Sequence, residues 1–130
     1  MKEDSMKHGA FGWMELMTTN IDSAKDFYSK LFGWEITDAS TEGMQYLVVK
    51  VNGDDTGGIM PMPADLQGMP PMWSMYVTVD DIDATAKKVE QLGGKIMRPP
   101  SDIPNVGRFC VLSDPQGAVI MAMTWSPRSS

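Results

Sequence analysis

Residues 20–34 read NIDSAKDFYSKLFGW, and residues 81–94 read DIDATAKKVEQLGG. A shift of 61 residues aligns the two stretches without a gap and places Ile21 on Ile82. The same shift aligns the apolar runs that surround both stretches. Because self-similarity at a fixed spacing is the signature of a repeated structural unit, the sequence predicts two copies of one fold unit.

A helix is predicted in each copy. Asn20 and Asp81 are the expected N-caps, since short polar side chains accept hydrogen bonds from the free amides of a first helical turn. In the first copy, apolar residues recur at helical spacing from Ala24 to Phe32, which indicates one buried face. Gly33 in the first copy and Gly93-Gly94 in the second supply the backbone freedom that ends a helix.

One strand-like run precedes each helix and three follow it, so each copy is predicted to be a βαβββ module. The runs that follow the first helix lie at 34–38, 44–51 and 57–62, and those that follow the second lie at 95–98, 106–113 and 118–125. Turn-forming residues separate neighbouring runs at 52–55 and 113–117. The predicted fold class is therefore α+β.

The modules define the predicted organisation of the chain. Charged residues without an apolar run predict a flexible N-terminal tail, and three prolines with a glycine predict a linker between the modules. The predicted boundaries are a tail at 1–10, a single domain at 11–126 and a second tail at 127–130, with module one at 11–62, the linker at 63–72 and module two at 73–126.

Composition excludes several classes of function. The net charge of −6 gives no basic footprint for nucleic acid, and no run of 18 apolar residues is present that could span a membrane. The acidity favours a neutral or cationic ligand. A single cysteine, Cys110, allows no intramolecular disulfide and predicts a cytoplasmic protein. The only histidine, His8, lies in the predicted tail, so no base is expected to activate Cys110 as a nucleophile.

The residues around both helices resemble the vicinal oxygen chelate superfamily, which contains glyoxalase I, bleomycin-resistance proteins and extradiol dioxygenases. The resemblance is carried by Asn20-Ile21-Asp22, Phe27-Tyr28, Leu31-Phe32-Gly33-Trp34, Val79-Asp80-Asp81-Ile82, Leu92-Gly93-Gly94 and Asp114-Pro115-Gln116-Gly117. It implies that the two modules form a cupped mixed sheet with the helices outside, and that the chain is a homodimer. It leaves the reaction open, because one fold hosts several chemistries.

The resemblance also implies the positions of a metal site. Relatives hold a metal with one side chain from the first strand and one from the fourth strand of each module. These positions fall on Trp13, Met60, Ser74 and Met121, and the shift of 61 residues relates them in the same pairs. None is an imidazole or a carboxylate, which a divalent metal in an N/O site requires. No metal and no other cofactor is therefore predicted.

The side chains that point into the cup follow from the alternation of strand residues between two faces. If Trp13 points inward, Met14 and Leu16 pack under the helices. The predicted ligand-binding residues are Trp13, Glu15, Met17, Met60, Met62, Ser74, Tyr76, Met121 and Met123. Flexible thioethers adapt to ligands of irregular shape, and apolar walls with few polar groups are typical of ligand sites. The alternative is that these methionines only fill a core.

Glu15 is the most informative polar residue, because a carboxylate on an apolar strand is unfavourable unless it is paired or hydrogen-bonded. It is predicted to act as a general base or to hold a cationic or hydroxyl-bearing ligand, with Tyr76 as a second catalytic candidate. A structural pairing with Arg108, or a place at a wet rim, is the alternative. Trp13 is expected either to stack on a flat ligand or to serve in packing.

Three functional hypotheses follow. The first is a metal-independent glyoxalase/bleomycin-resistance-like protein that binds a small organic molecule in a methionine-rich cup and sequesters a drug or metabolite. The second is a lyase, isomerase or hydroxylase-like enzyme that uses Glu15 as general base. The third is a structural or subunit role in which the proline-rich linker meets a partner.

Overall fold

The computed structural model describes residues 3–64, 68–103 and 106–126 of the 130-residue chain. The elements in chain order are a 3-10 helix (Glu3–Met6), β1 (Phe11–Thr18), α1 (Ile21–Phe32), β2 (Glu35–Asp38), β3 (Leu47–Val51), β4 (Asp54–Pro61), β5 (Met72–Thr78), α2 (Ile82–Gln91), β6 (Lys95–Ile103), β7 (Gly107–Ser113) and β8 (Val119–Trp125). The predicted tail at 127–130 and the linker residues 65–67 lie outside the described residues.

These elements are divided between two compact units. The first unit contains residues 13–74, and the second contains residues 3–12 and 75–126. The strand order is β2-β3-β4-β1 in the first unit and β5-β8-β7-β6 in the second. In each unit the first strand pairs in parallel with the fourth, and the other pairs are antiparallel. The α+β class and the two βαβββ modules are confirmed.

Both helices begin at the predicted caps. Asn20 Oδ1 accepts a hydrogen bond from the amide of Ser23 at 3.0 Å, and Asp81 Oδ1 accepts one from the amide of Ala84 at 3.1 Å. Gly33 ends α1 with a φ of 73°, a conformation that residues with a Cβ atom rarely adopt. Within the described ranges, neither α-helix is long and apolar enough to cross a membrane.

Each sheet packs one of its faces against its own helix. The buried cluster of the first unit contains Leu16, Ile36, Leu47, Val49 and Ile59, with Ile21, Ala24 and Tyr28 of α1 packed against it. The buried cluster of the second unit contains Val79, Ile82, Cys110 and Ala122, with Ala86 of α2 packed against it. Because strand residues alternate, the neighbours of these core residues in the strands lie on the opposite face, which we name the helix-distal face of each unit.

Strand β6 departs most from the predicted strands. A strand at 95–98 is predicted, whereas β6 runs from Lys95 to Ile103 and includes Pro99-Pro100. A proline removes a ladder donor, which an edge strand tolerates, and β6 lies at the edge of its sheet. The other strands differ from the predicted runs by at most three residues at either end.

The N-terminal stretch is hydrogen-bonded to the end of β5. The amide of Gly9 donates to the carbonyl of Thr78 at 2.7 Å, and the hydroxyl of Thr78 donates to the carbonyl of Ser5 at 2.5 Å. His8 Nδ1 accepts a hydrogen bond from the amide of Asp80 at 3.0 Å. The stretch predicted as a flexible tail at 1–10 therefore includes residues that contact the second sheet.

Candidate functional site

Strands β1 and β4 bring several predicted ligand-binding residues to the helix-distal face of the first unit. Leu16 belongs to the core against α1, so Glu15 and Met17 on either side of it point to the opposite face. In the parallel pairing of the two strands, Glu15 lies opposite Gly58 and Met17 opposite Met60. This face therefore combines a carboxylate with two thioethers.

A hydrogen-bonded chain of three side chains lies on this face. The indole Nε1–H of Trp13 donates to the hydroxyl oxygen of Tyr46 at 3.0 Å, and the Tyr46 hydroxyl donates to Oε2 of Glu15 at 2.8 Å. Glu15 is buried, with 8% of its surface exposed. Its burial is tolerated because the carboxylate accepts a charge-assisted hydrogen bond. The sequence predicts Trp13 and Glu15 as site residues, but it does not predict Tyr46.

Tyr46 is held by the turn that precedes β3. Its amide donates to Oγ of Ser40 at 3.0 Å, and its carbonyl accepts a hydrogen bond from the amide of Ala39 at 2.9 Å. Ser40 is itself fixed, since its amide donates to Oδ1 of Asp38 at 2.8 Å. Hydrogen bonds from Ser40 lower the pKa of the Asp38 carboxyl, so this residue stays an ionised acceptor. Residues at the end of β2 thus position the phenol.

Gly58 leaves the space that Tyr46 occupies. A Cβ atom added to Gly58 would overlap the Tyr46 hydroxyl and would lie 2.6 Å from the ring Cε1. Its neighbour Gly57 faces a different obstacle, because a Cβ atom there would overlap the carbonyl oxygen of Met14 in β1. The glycine pair therefore allows close approach of the β1 backbone and of the phenol.

The strand register corrects the predicted equivalence of the two fourth strands. Glu15 pairs with Gly58 in the first unit, and Tyr76 pairs with Met121 in the second. The caps Asn20 and Asp81 relate the first strands by 61 residues, and the two registers then relate the fourth strands by 63. The predicted equivalence of Met60 with Met121 is wrong, and Gly58 is the counterpart of Met121. The two-residue difference leaves the face of each side chain unchanged, because strand alternation has a period of two.

The helix-distal face of the second unit carries aromatic and methionine side chains, of which Tyr76, Met121 and Met123 are buried. Tyr76 of β5 pairs with Met121 of β8, and Phe109 of β7 pairs with Met123. The rings of Tyr76 and Phe109 meet edge to face, with 6.3 Å between their centroids. The sequence does not predict Phe109 as a site residue, although its alternation with the buried Cys110 would have placed it on this face.

Two further predicted residues of the first unit lie in the initial part of β5, which belongs to this unit as far as Ser74, and just after β4. Ser74 is half-buried in β5. Met62 is buried just after β4, where its amide donates to the carbonyl of Thr18 at 3.0 Å. Of the predicted residues in this unit, the described hydrogen bonds join Trp13 to Glu15, through Tyr46.

The side chains at the implied metal positions do not fit a divalent metal. The Trp13 indole has no lone pair to offer, and its N–H donates to a neighbouring hydroxyl. According to the strand register, the second position is Gly58 and not Met60, and glycine has no side chain. The other two positions hold the hydroxyl of Ser74 and the thioether of Met121. Among the residues that the structure describes, no three His, Cys, Asp or Glu side chains group closely enough to hold a metal ion.

Arg108 and Cys110 serve the second unit structurally. The Nε and Nη2 groups of Arg108 donate to Asp83 at 3.0 Å, and Nη1 donates to Asp102 at 3.3 Å. The hydrogen bond to Asp83 raises the pKa of Arg108 and lowers the pKa of the Asp83 carboxyl. This network ties α2 to the sheet. Cys110 is fully buried, and burial raises the pKa of its thiol, which makes it a weak nucleophile.

Comparison with known proteins defines the class of this fold. The methylmalonyl-CoA epimerase of Mycobacterium tuberculosis superposes with a TM-score of 0.69 at 16% identity, over 98% of this chain and 94% of that one. Hypothetical protein BH1468 of Bacillus halodurans superposes with a TM-score of 0.74 at 11% identity, over 95% and 99% of the two chains. At such identities the likeness concerns the fold alone. A family model matches residues 10–122, and the chain belongs to the glyoxalase/bleomycin resistance protein/dioxygenase superfamily.

Within the superfamily, several curated proteins are similar in sequence. The putative glyoxylase CFP32 of Mycobacterium bovis is 39% identical over 122 residues, which are 92% of this chain and 47% of that protein. The anthracycline biosynthesis protein DnrV of Streptomyces peucetius is 34% identical over 123 residues, 85% of this chain and 45% of that protein. The chain therefore spans about half the length of these relatives. A glyoxylase-like domain-containing protein of Didymella fabae is 29% identical over 118 residues, which are 85% of this chain and 89% of that protein.

Proposed function

We propose that this chain binds a small, partly aromatic organic molecule on the helix-distal face of its first unit, without a divalent metal. The proposed contacts are Trp13, Glu15, Met17 and Met60, with Tyr46 added to the residues that the sequence predicts. Sequestration of a drug or metabolite is the biological role that such binding would serve.

The Trp13–Tyr46–Glu15 chain is the observation that carries this proposal. Burying a carboxylate costs free energy even when it is hydrogen-bonded, so an apolar side chain would serve plain packing better. Glu15 and Tyr46 bring polar groups to a face that also carries thioethers. Apolar walls with a few convergent polar groups are the usual composition of a small-molecule site.

Two features support an aromatic ligand. Met17 and Met60 are direct partners on adjacent strands, and thioether sulfur makes favourable contacts with aromatic rings. The relative DnrV is named for anthracycline biosynthesis, and anthracyclines are polycyclic aromatic compounds. An aromatic ligand with a hydroxyl or amine group would match both the thioethers and the acceptor oxygens of Glu15.

Replacing Tyr46 with phenylalanine should weaken ligand binding while leaving the fold intact. The variant loses the hydroxyl that joins Trp13 to Glu15, which should cost about 1–3 kcal/mol of stability. The measurement is a thermal-shift screen of neutral, cationic and anionic aromatic compounds, in which a ligand that binds the native state raises the Tm. Compounds that raise the Tm of the parent protein should raise the Tm of Tyr46→Phe and of Glu15→Gln by less.

Glu35→Gln is the matched control for this experiment, since Glu35 is an exposed carboxylate on a strand of the same unit. It should respond to ligands as the parent protein does. If no aromatic compound raises the Tm of the parent, or if Tyr46→Phe and Glu15→Gln respond as Glu35→Gln does, the proposal is wrong.

Catalysis by Glu15 is the second candidate function, and the 2.8 Å hydrogen bond from Tyr46 to its Oε2 favours it. A phenol that donates to a carboxylate orients it, and an oriented carboxylate can accept a proton from a bound substrate. Tyr46 takes the role that the sequence assigns to Tyr76. An enzyme would retain ligand binding in Glu15→Gln but lose turnover by about a hundredfold or more, whereas a sequestering protein would show no turnover.

We further propose that the chain is a cytoplasmic homodimer. The chain spans about half the length of CFP32 and DnrV, so a second copy would supply a comparable amount of structure. Phe27, Leu31 and Phe32 of α1 are each 57% exposed, and such apolar surfaces are often covered by a partner. Light scattering should give twice the chain mass of 14.3 kDa. A mass of one chain at micromolar concentration would contradict the dimer.

A further inference from the structure

We infer that Arg98 recognises an oxyanion, either a carboxylate or a phosphate, on an aromatic ligand of this protein. The inference rests on the proposed small-molecule function and concerns the helix-distal face of the second unit, where the sequence also predicts ligand contacts. It adds an oxyanion to that ligand, whereas the net charge of −6 taken alone favours a neutral or cationic one. A direct contact with Arg98 outweighs the repulsion of an anion by the net negative charge. Salt screens the field of distant charges over about 8 Å, whereas a contact at hydrogen-bond distance is hardly screened.

The partners of Arg98 differ from those of Arg108 in the same unit. Arg108 forms ion pairs with Asp83 at 3.0 Å and with Asp102 at 3.3 Å. None of the ion pairs found among the described residues involves Arg98. Its guanidinium carbon lies instead 5.3 Å from the centroid of the Phe109 ring. Among the residues that the structure describes, no carboxylate therefore pairs with Arg98 as Asp83 and Asp102 pair with Arg108.

An irregularity in β6 turns Arg98 to this face. Ile96 pairs with Leu112 on the helix side, so regular pairing would place Arg98 opposite the buried Cys110. A register shift between Ile96 and Arg98 places it opposite Val111 instead, and a second shift follows Arg98. Bulges re-aim side chains and are common beside functional sites. The backbone is thus arranged to keep a guanidinium over an aromatic ring.

The guanidinium group of Arg98 has the donor set of an oxyanion receptor. Its carbon lies over the Phe109 ring, and its five N–H donors lie in the plane of the guanidinium group. This planar donor set matches a carboxylate or phosphate, which can accept two parallel hydrogen bonds from it. Arg98 is exposed, so a ligand can reach the donors.

The neighbouring side chains suit an aromatic body on the same ligand. Phe109 meets Tyr76 edge to face, and Met121 lies opposite both Tyr76 and Val111 in the sheet. The half-buried Phe109 ring offers apolar surface beside Arg98, and the buried Tyr76 and Met121 pack behind it. The expected ligand class is therefore an aromatic ring that carries a carboxylate or a phosphate.

An NMR titration of the full chain with benzoate, phenyl phosphate and benzamide tests the inference. Benzamide keeps the shape of benzoate without its charge. We expect one or both anions to bind the parent protein about tenfold more tightly than benzamide, the difference typical of a charge-assisted hydrogen bond. The Nε–Hε resonance of Arg98 should shift on binding. The anion that binds more tightly identifies the oxyanion.

Three variants separate charge from geometry. Arg98→Gln should bind benzoate, phenyl phosphate and benzamide equally, and Arg98→Lys should keep part of the preference. Lys95→Gln removes a cation from the same strand and should keep the whole preference. If neutral aromatics bind but Arg98→Gln still prefers an anion, the inference is wrong while the proposed function stands. If no aromatic compound of any charge binds the parent protein, both are wrong.

Discussion

Replacing Gly58 with alanine should destabilise the protein by about 2–3 kcal/mol and displace the phenol of Tyr46. The added methyl group would overlap the Tyr46 hydroxyl and the adjacent ring carbon. Gly58 lies in β4 between two paired strands, so its backbone cannot withdraw without breaking the ladder. The ring must move instead, and its hydrogen bonds with Trp13 and Glu15 are lost. Urea denaturation followed by tryptophan fluorescence measures the cost.

A double-mutant cycle with Tyr46→Ala identifies the cause of this destabilisation. Removing the ring costs stability by itself, but it also removes the obstacle that the new methyl group meets. Gly58→Ala should therefore cost less than about 1 kcal/mol in the Tyr46→Ala background, with the difference appearing as a coupling energy between the two positions. Additive effects of the two substitutions would contradict the contact between Tyr46 and Gly58.

The duplicated fold could be predicted because its signals are local. Asn20 and Asp81 cap helices through amides only three residues away, and Gly33 follows its helix directly. The N-terminal contacts could not be predicted in this way. Ser5 and His8 bond to residues 73 and 72 positions away, and polar residues without periodicity carry no signal for such pairing.

The face of Tyr46 could have been predicted, but its partners could not. Leu47 and Val49 are core residues, so alternation places Tyr46 on the helix-distal face, together with Glu15. Its contact with Gly58 depends on how far β3 and β4 slide along each other. The alternation of residues in a single sequence predicts which face a side chain lies on. It does not predict which residue of the neighbouring strand lies opposite, because that depends on the pairing register.

One error and one omission of the sequence prediction on these faces share this cause. A two-residue shift in the fourth strand exchanged Met60 for Gly58 as the counterpart of Met121. A bulge in β6 places Arg98 on the helix-distal face, whereas regular alternation from Ile96 would place it on the helix side. Both depend on strand pairing between residues distant in sequence, and both change which chemical groups the helix-distal faces present.

Replacing Gly57 with alanine should be more damaging than the change at Gly58, with a loss of about 3 kcal/mol or more. Its new methyl group would overlap the carbonyl oxygen of Met14 and lie 3.2 Å from the carbonyl carbon. Met14 and Gly57 are direct partners in the parallel pair of β1 and β4. Because the obstacle is backbone, relief requires the two strands to separate.

Trimming a side chain should not rescue Gly57→Ala. Met14→Ala leaves the carbonyl in place, so the cost of Gly57→Ala measured by urea denaturation should be the same in both backgrounds. Since β1 also carries Trp13 and Glu15, its displacement in Gly57→Ala should weaken the binding of aromatic ligands as much as Tyr46→Phe does. Rescue by Met14→Ala, or a cost below that of Gly58→Ala, would mean that β1 and β4 do not approach through their backbones, and the register that brings Glu15 to Gly58 would be wrong.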